Sequence, residues 1–117
     1  MSKSVINFAT NNGARSARRL ADMPGRVVEG DPQHETTVHF NDGLLAGTWT
    51  STPGKWRAFT NRDEFCYIIS GHCQLISSEG EVQDFRTGDA FLIPNGFRGY
   101  WNVIETTSKH FVIREYD

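Results

Sequence analysis

The chain has 117 residues, 12 Lys and Arg against 14 Asp and Glu, a net charge of −2 and 38% hydrophobic residues. This length fits one domain, and the slightly acidic balance disfavours a nucleic-acid partner because it offers no basic field to phosphates. Two cysteines, Cys66 and Cys73, are too few for a disulfide framework and predict free thiols in a reducing compartment.

The expected location follows from what the sequence lacks. No apolar run approaches the roughly 20 residues that span a bilayer, and the N-terminus has no apolar stretch suited to a secretory signal. We therefore expect a cytoplasmic protein with no membrane partner. Residues 1–21 hold four bases and no acid, which is also typical of organelle transit peptides. The tripeptide Asn11-Asn12-Gly13 would interrupt the helix that such a peptide needs.

Residues 1–30 differ from the rest of the chain because they are rich in Asn, Ser, Arg and Gly. One short helix over 16–23 is predicted there, ended by Pro24 and Gly25. We interpret residues 1–30 as an arm that contacts a partner subunit, and residues 31–117 as the folded domain. The alternative for the arginines of this arm is a polyanion site.

The remaining chain is a series of short β-branched and aromatic runs separated by turn residues. Such a series is typical of an all-β sandwich or barrel. The turns are marked by Asn-Asp-Gly, Pro-Gly, Glu-Gly, Gly-Asp and Pro-Asn-Gly, with a bend or bulge at Gly71. The predicted strands are 38–40, 44–50, 64–69, 73–77, 82–85, 90–93, 101–104 and 110–113.

Two spaced motifs lie within the strand-rich region. Glu64 is followed by six residues and Gly71, and Gly88 is followed by five residues, Pro94, one residue and Gly96. In order, spacing and strand context, these residues resemble the paired motifs of the cupin superfamily. The resemblance implies an all-β fold, a single antiparallel β-barrel or jelly roll of the RmlC-like kind.

The resemblance extends to one subfamily of cupins. Segments 49–56, 63–71, 88–94 and 109–111 are similar to a group that includes the cupin part of ureidoglycine aminohydrolases and the ethanolamine-utilisation proteins. The similar region covers residues 47–113, and many short members of the group have no assigned function. The resemblance also implies a homodimer, since small cupins commonly pair through barrel faces and N-terminal arms.

The metal ligands of the cupin superfamily are mostly missing here. Metal-binding cupins supply imidazoles and one glutamate, a set that suits manganese, iron, nickel or zinc. Residues 57–62, where the first motif has its histidines, contain none, and Gly99 stands where the second motif has its histidine. With only Glu64 left, we expect no cofactor. The alternative is a divalent transition metal bound by Glu64 with His110 or another histidine outside the motifs. The other histidines are predicted at the surface: His34, His39 and His72.

Strand alternation predicts a site around the one remaining ligand position. Glu64 and Cys66 share one face of their strand, and the resemblance implies that this face is the inside of the barrel. Both are candidate catalytic residues. Trp101 shares a face with Gly99 and would border the space left by the missing imidazole. The candidate ligand-binding residues are Arg57, Phe59, Trp101 and His110.

The role of Glu64 depends on its partner. Without one, it would be a candidate general acid or base. With Arg57 or Arg62 beside it, it would form an ion pair that recognises an anion or supports the structure. Cys66 is also typical of a small core residue, and the three tryptophans are typical of a core.

Three functions remain open. The favoured one is a cupin that binds a small polar metabolite and acts as a metal-independent enzyme with Glu64 as acid or base. The second is a non-catalytic metabolite sensor or accessory subunit. The third is a metal-dependent enzyme that resembles ureidoglycine aminohydrolase.

Overall fold

Nine β-strands and one 3-10 turn are formed within residues 4–59 and 61–116, the part of the chain that this computed structural model describes. The turn is Leu20–Asp22. The strands are β1 (Ala14–Arg19), β2 (Val27–Gly30), β3 (Gln33–Asn41), β4 (Leu45–Ser51), β5 (Gly54–Arg57), β6 (Arg62–Ser77), β7 (Val82–Arg86), β8 (Ala90–Ile93) and β9 (Gly99–Glu115).

The two long strands, β6 and β9, pair with each other along most of their length and form the centre of the sheet. The C-terminal half of β9 continues to β4, β3 and β1, while the N-terminal half of β6 continues to β8. The N-terminal half of β9 pairs with β5, which in turn pairs with β2, and the C-terminal half of β6 pairs with β7. All these pairs are antiparallel, and the sheet curls into a barrel, so the predicted all-β antiparallel barrel is confirmed.

The curl depends on a bend in β6 at Gly71. Its register against β9 shifts three times between Ile68 and Cys73, and Gly71 has φ +102°. A Cβ atom there would lie 2.3 Å from the carbonyl oxygen of Thr106, so only glycine fits. The predicted bend is confirmed, and the two strands predicted on either side of it form one continuous strand.

We expect Gly71→Ala to lower the free energy of unfolding by about 2–3 kcal/mol, because it adds a backbone clash to an unfavourable φ. Gly80→Ala is the matched control, since Gly80 has φ +89° and a Cβ atom added to it would meet no atom within 4 Å. That variant should cost about 1 kcal/mol. Urea unfolding followed by circular dichroism measures both, and equal losses would show that the Thr106 contact is unimportant.

The N-terminal region joins the same sheet. β1 pairs with β3 from Ala14 opposite Val38 to Arg19 opposite Gln33. The helix predicted over 16–23 is therefore wrong, because these residues form β1 and one 3-10 turn. All six side chains of β1 are exposed, so the segment has no apolar alternation, and its Ala and Arg residues favour helix in isolation. The division into an arm and a domain stays a prediction.

The core lies between the two halves of the curled sheet. Inward residues alternate with outward ones along β6, where Glu64, Cys66 and Ile68 are buried and Phe65 and Tyr67 are exposed, as the alternation predicted. The buried apolar cluster is Leu20, Trp49, Trp56, Cys66, Ile68, Cys73, Leu75, Ile93, Trp101, Val103, Phe111 and Ile113. No helix within the described ranges is long and apolar enough to cross a membrane.

Candidate functional site

A cavity of about 280 Å³, called the inner cavity below, lies within the half of the barrel that contains β1, β3 and β4. All three tryptophans of the chain line it. The rings of Trp56 and Trp101 are nearly parallel, with centroids 6.1 Å apart and planes inclined by 12°, and Trp49 lies 5.5 Å from Trp101. Phe59 and Phe111 complete the aromatic part of the lining.

A buried ion pair lies in the wall of the inner cavity. Nζ of Lys109 donates a hydrogen bond to Oε2 of Glu64 over 2.6 Å, and the two side chains are 5% and 11% exposed. The ammonium group also lies 4.3 Å from the ring centre of Trp49 and 4.1 Å from that of Trp101. The cation is therefore held by one carboxylate and two indole faces.

The charge on Lys109 survives its burial. Removal from water disfavours the ammonium ion, while the negative charge of Glu64 and its hydrogen bond favour it, and the pKa of Lys109 is raised. The partner of Glu64 is thus Lys109. It is neither of the arginines predicted for it, since neither Arg57 nor Arg62 makes an ion pair with Glu64 in the described structure.

Cys66 lies beside Glu64, as the alternation predicted. Its thiol donates a hydrogen bond to Oε2 of Glu64 over 3.5 Å, and the residue is fully buried. Burial and, to a smaller extent, the neighbouring carboxylate raise the pKa of the Cys66 thiol, although Lys109 opposes them. A protonated, buried thiol is a poor nucleophile, so the geometry favours a packing role for Cys66 over the predicted catalytic one.

His34 is a cavity residue that the sequence reasoning missed. It is buried, lies in β3 and packs edge-on against Trp49 and Trp56, with ring centroids 5.0 and 4.8 Å away. Burial, together with the positive charges of Lys109 and Arg18, lowers the pKa of His34 to about 4. The imidazole is therefore neutral at pH 7. The prediction that His34 lies at the surface is wrong.

The four predicted ligand-binding residues separate into two pairs. Phe59 and Trp101 line the inner cavity. Arg57 is exposed and donates a hydrogen bond to the carbonyl oxygen of Gly25 over 3.3 Å. His110 points away from the cavity, with Nδ1 2.9 Å from Oγ1 of Thr48. The structure therefore does not bring Arg57 or His110 to the site.

The space predicted at Gly99 is also absent. A Cβ atom on Gly99 would lie 2.0 Å from the carbonyl oxygen of Ile76, so the close approach of β6 and β9 fills the position where an imidazole would begin. Trp101 borders the inner cavity instead. Glycine therefore stands at residue 99 because two strands pack tightly there.

A sequence comparison identifies the family to which this barrel belongs. A family model described as the EutQ-like cupin domain matches residues 32–111. The chain belongs to the EutQ-like cupin domain family. The predicted cupin relationship is confirmed, and the match begins just before β3 and ends within β9. No curated protein matches the sequence.

Solved structures with the same fold have varied descriptions. The EutQ protein of Clostridium difficile is 18% identical, with a TM-score of 0.66 over 97% of this chain and 76% of that one. A protein of unknown function from Pseudomonas syringae is 23% identical, with a TM-score of 0.71 over 78% of this chain and 40% of that one. Ectoine synthase from P. lautus is 12% identical, with a TM-score of 0.63 over 86% and 78%. At these identities the likeness shows the fold alone.

The side chains of this cupin do not fit a transition-metal centre. A metal ion on Glu64 would face the ammonium of Lys109, which already occupies the cationic position beside the carboxylate. His110, which the metal-dependent alternative needs beside Glu64, lies on the opposite face of β9. Within residues 4–59 and 61–116, no three His, Cys, Asp or Glu side chains are grouped as metal ligands.

The two remaining histidines, His39 and His72, form hydrogen bonds outside the inner cavity. His72 is buried, with Nε2 2.5 Å from Oδ1 of Asp84, so its predicted surface position is wrong. His39 is partly buried, with Nδ1 2.9 Å from Oδ1 of Asn11. Neither contributes to the inner cavity.

Proposed function

We propose that this cupin binds a small polar metabolite in the inner cavity without a metal ion. The observation that carries the proposal is the buried Lys109–Glu64 ion pair in the wall of a cavity that all three tryptophans line. Small-molecule sites usually combine apolar walls with a few convergent polar groups. A volume of about 280 Å³ lies at the small end of such sites, so the ligand has few atoms.

A purely structural role explains the ion pair less well. Desolvating two charges often costs more free energy than their attraction returns, and apolar residues of similar volume stabilise a core as effectively. Hydrogen bonds from the polar atoms of the pair to a ligand would explain why the protein has the pair despite its desolvation cost. A second cavity of about 330 Å³, bordered by Phe85, Phe91 and Phe97, has no ion pair among its lining residues within the described ranges.

The proposed function has a catalytic and a non-catalytic form. Glu64 lines the inner cavity and, with Lys109 as its partner, is the candidate acid or base in the first form. The second form is a sensor or accessory subunit. Proton NMR of the protein with each bound metabolite separates them, because only an enzyme converts the metabolite's signals into those of a product. A homodimer and a cytoplasmic location stay predictions.

Intrinsic tryptophan fluorescence is a direct probe of the proposed site, since every tryptophan of the chain lines the inner cavity. We expect at least one member of a library of small polar metabolites to change this fluorescence and to raise the melting temperature. A ligand at one hundred times its Kd should stabilise the folded state by about 2.7 kcal/mol.

Two threonine variants locate the binding site. Thr36→Phe places a ring in the inner cavity and should abolish binding, while Thr106→Phe makes the same change at an exposed position and should leave binding intact. A library without any fluorescence or melting response would contradict the proposed function. So would a ligand that binds wild type and Thr36→Phe equally well.

A further inference from the structure

Two buried nitrogen atoms of residues that line the inner cavity lack a hydrogen-bond partner within the described structure. Among the buried side-chain nitrogen and oxygen atoms of residues 4–59 and 61–116, Nε2 of His34 and Nε of Arg62 are the two without one. Both residues line the inner cavity, and His34 is 9% exposed. Buried polar groups in native proteins are nearly always paired. Two unpaired atoms at one cavity indicate that a ligand supplies the partners.

The chemistry of these atoms requires an acceptor. Nε of an arginine carries a hydrogen at all physiological pH values and cannot accept a hydrogen bond. Nε2 of a neutral histidine carries a hydrogen in one of its two tautomers. The ligand atom that satisfies Arg62, and in that tautomer also His34, is therefore an oxygen or another acceptor.

The charges around the inner cavity favour an anion. Its described lining contains three basic side chains, Arg18, Arg62 and Lys109, and one acidic side chain, Glu64. Lys109 is neutralised by Glu64 at 2.6 Å. The contact of Arg62 with Glu115 is long, at 3.8 Å, and uses Nη2. Arg18 makes no ion pair among the described residues, and Nε of Arg62 remains without a partner. Arginine binds planar carboxylates with particular geometric fit.

The aromatic side chains of the lining indicate what the part of the ligand beyond its anionic group is like. Trp56 and Trp101 present parallel indole rings, and Phe59 lies under the guanidinium of Arg62 at 5.0 Å. Such walls favour a flat or apolar body of few atoms. On this basis we infer that the ligand of the inner cavity is a small organic carboxylate with an apolar body, its oxygens hydrogen-bonded by His34 and Arg62. This inference rests on the proposed function, because it names the ligand class of the same site.

The test compares probes that differ in charge at nearly constant shape. Benzoate and cyclohexanecarboxylate are the carboxylates, benzamide and benzylamine are the neutral and cationic analogues, and phenyl phosphate is the alternative anion. We expect both carboxylates to change the tryptophan fluorescence of the wild-type protein at millimolar concentrations. Benzamide should bind about ten-fold more weakly or not at all, since it lacks the charge.

Three variants identify the groups that hold the carboxylate. Arg62→Gln should weaken benzoate binding by about ten-fold or more, and His34→Phe should weaken it while keeping a ring of similar size. Arg57→Gln is the matched control, because the same substitution removes an exposed arginine outside the inner cavity. Arg62→Lys keeps the positive charge without Nε and should also weaken binding, which covers the case in which Arg62→Gln folds poorly.

The outcomes distinguish the inference from the function on which it rests. Binding of carboxylates that Arg62→Gln weakens and Arg57→Gln does not would support the inference. Binding of benzamide or benzylamine that Thr36→Phe blocks, with no response to the carboxylates, would overturn it and leave the proposed function standing. Binding of phenyl phosphate alone would overturn the assignment of a carboxylate. If neither these probes nor the metabolite library bind, both proposals are overturned.

Discussion

Replacing Lys109 with Met lowers the free energy of unfolding by an expected 3–5 kcal/mol, about the loss measured when one member of a buried ion pair is removed. Met retains most of the packing volume, but Glu64 then lies buried without a counter-ion. The variant also loses the contacts of the ammonium with Trp49 and Trp101, which contribute further when a cation is desolvated. Urea unfolding followed by circular dichroism measures the loss.

A double-mutant cycle isolates the pair. Glu64→Gln should destabilise the protein by a similar amount, because it leaves the ammonium uncompensated. The double variant, Glu64→Gln with Lys109→Met, should be more stable than the sum of the single losses predicts. Arg114→Met is the control, since Arg114 lies 2.8 Å from Asp63 at the surface and such pairs contribute less than about 1 kcal/mol. If Lys109→Met costs no more than Arg114→Met, the buried pair is not a major source of stability.

Acid should destabilise the protein through His34. Burial, then Lys109 and Arg18, lower the pKa of His34 from 6.5 to about 4. Between these values the unfolded chain binds a proton that the folded protein does not, so stability falls as the pH is lowered through this range. At 1.36 kcal/mol per pH unit the loss reaches about 3 kcal/mol. The charged side chains that line the same cavity are Arg18, Arg62, Glu64 and Lys109.

Urea unfolding at several pH values between 7 and 4 measures this dependence. His34→Gln should flatten the slope, since the buried titrating group is gone. His110→Gln should retain most of it, because His110 is only partly buried, although burial lowers its pKa in the same direction. The pKa of Asp63 is held near 2 by hydrogen bonds from Tyr116, Asn95 and Arg114, so its contribution is lost at lower pH. An unchanged slope in His34→Gln would contradict the assignment.

The group of side chains at the centre of the candidate site was predictable in part. Glu64 and Cys66 were placed on one inward face by alternation and by the cupin motif, and the structure agrees. Lys109 was missed, although it has the same parity in β9 as Phe111 and Ile113, which are apolar enough to mark the inward face. His110, which was predicted at the site for its metal-binding chemistry, is one residue away from Lys109 along β9 and therefore points to the outer face.

His34 and Arg62 could not be placed in this way. β3 carries Thr, Val, His and Phe residues of mixed polarity, so alternation along it does not identify the inward face. Arg62 begins β6 next to Asp63, where both residues are polar. His34 is buried against Trp49 and Trp56, and Arg62 is placed by Phe59 and by Glu115 at the end of β9. Most of these contacts join segments many residues apart.

By itself, the sequence determined the all-β class and the strands from β3 onward other than β5, because turn residues and period-2 alternation are local properties. The barrel followed from the resemblance to cupins. It also determined that Glu64 stands in the cupin ligand position without the family's imidazoles. The tertiary structure alone decided that β1 joins the sheet, that Lys109 replaces an arginine as the partner of Glu64, and that His34 and Arg62 line the same cavity. Those outcomes depend on strand register, since a shift of one residue would turn each side chain to the opposite face.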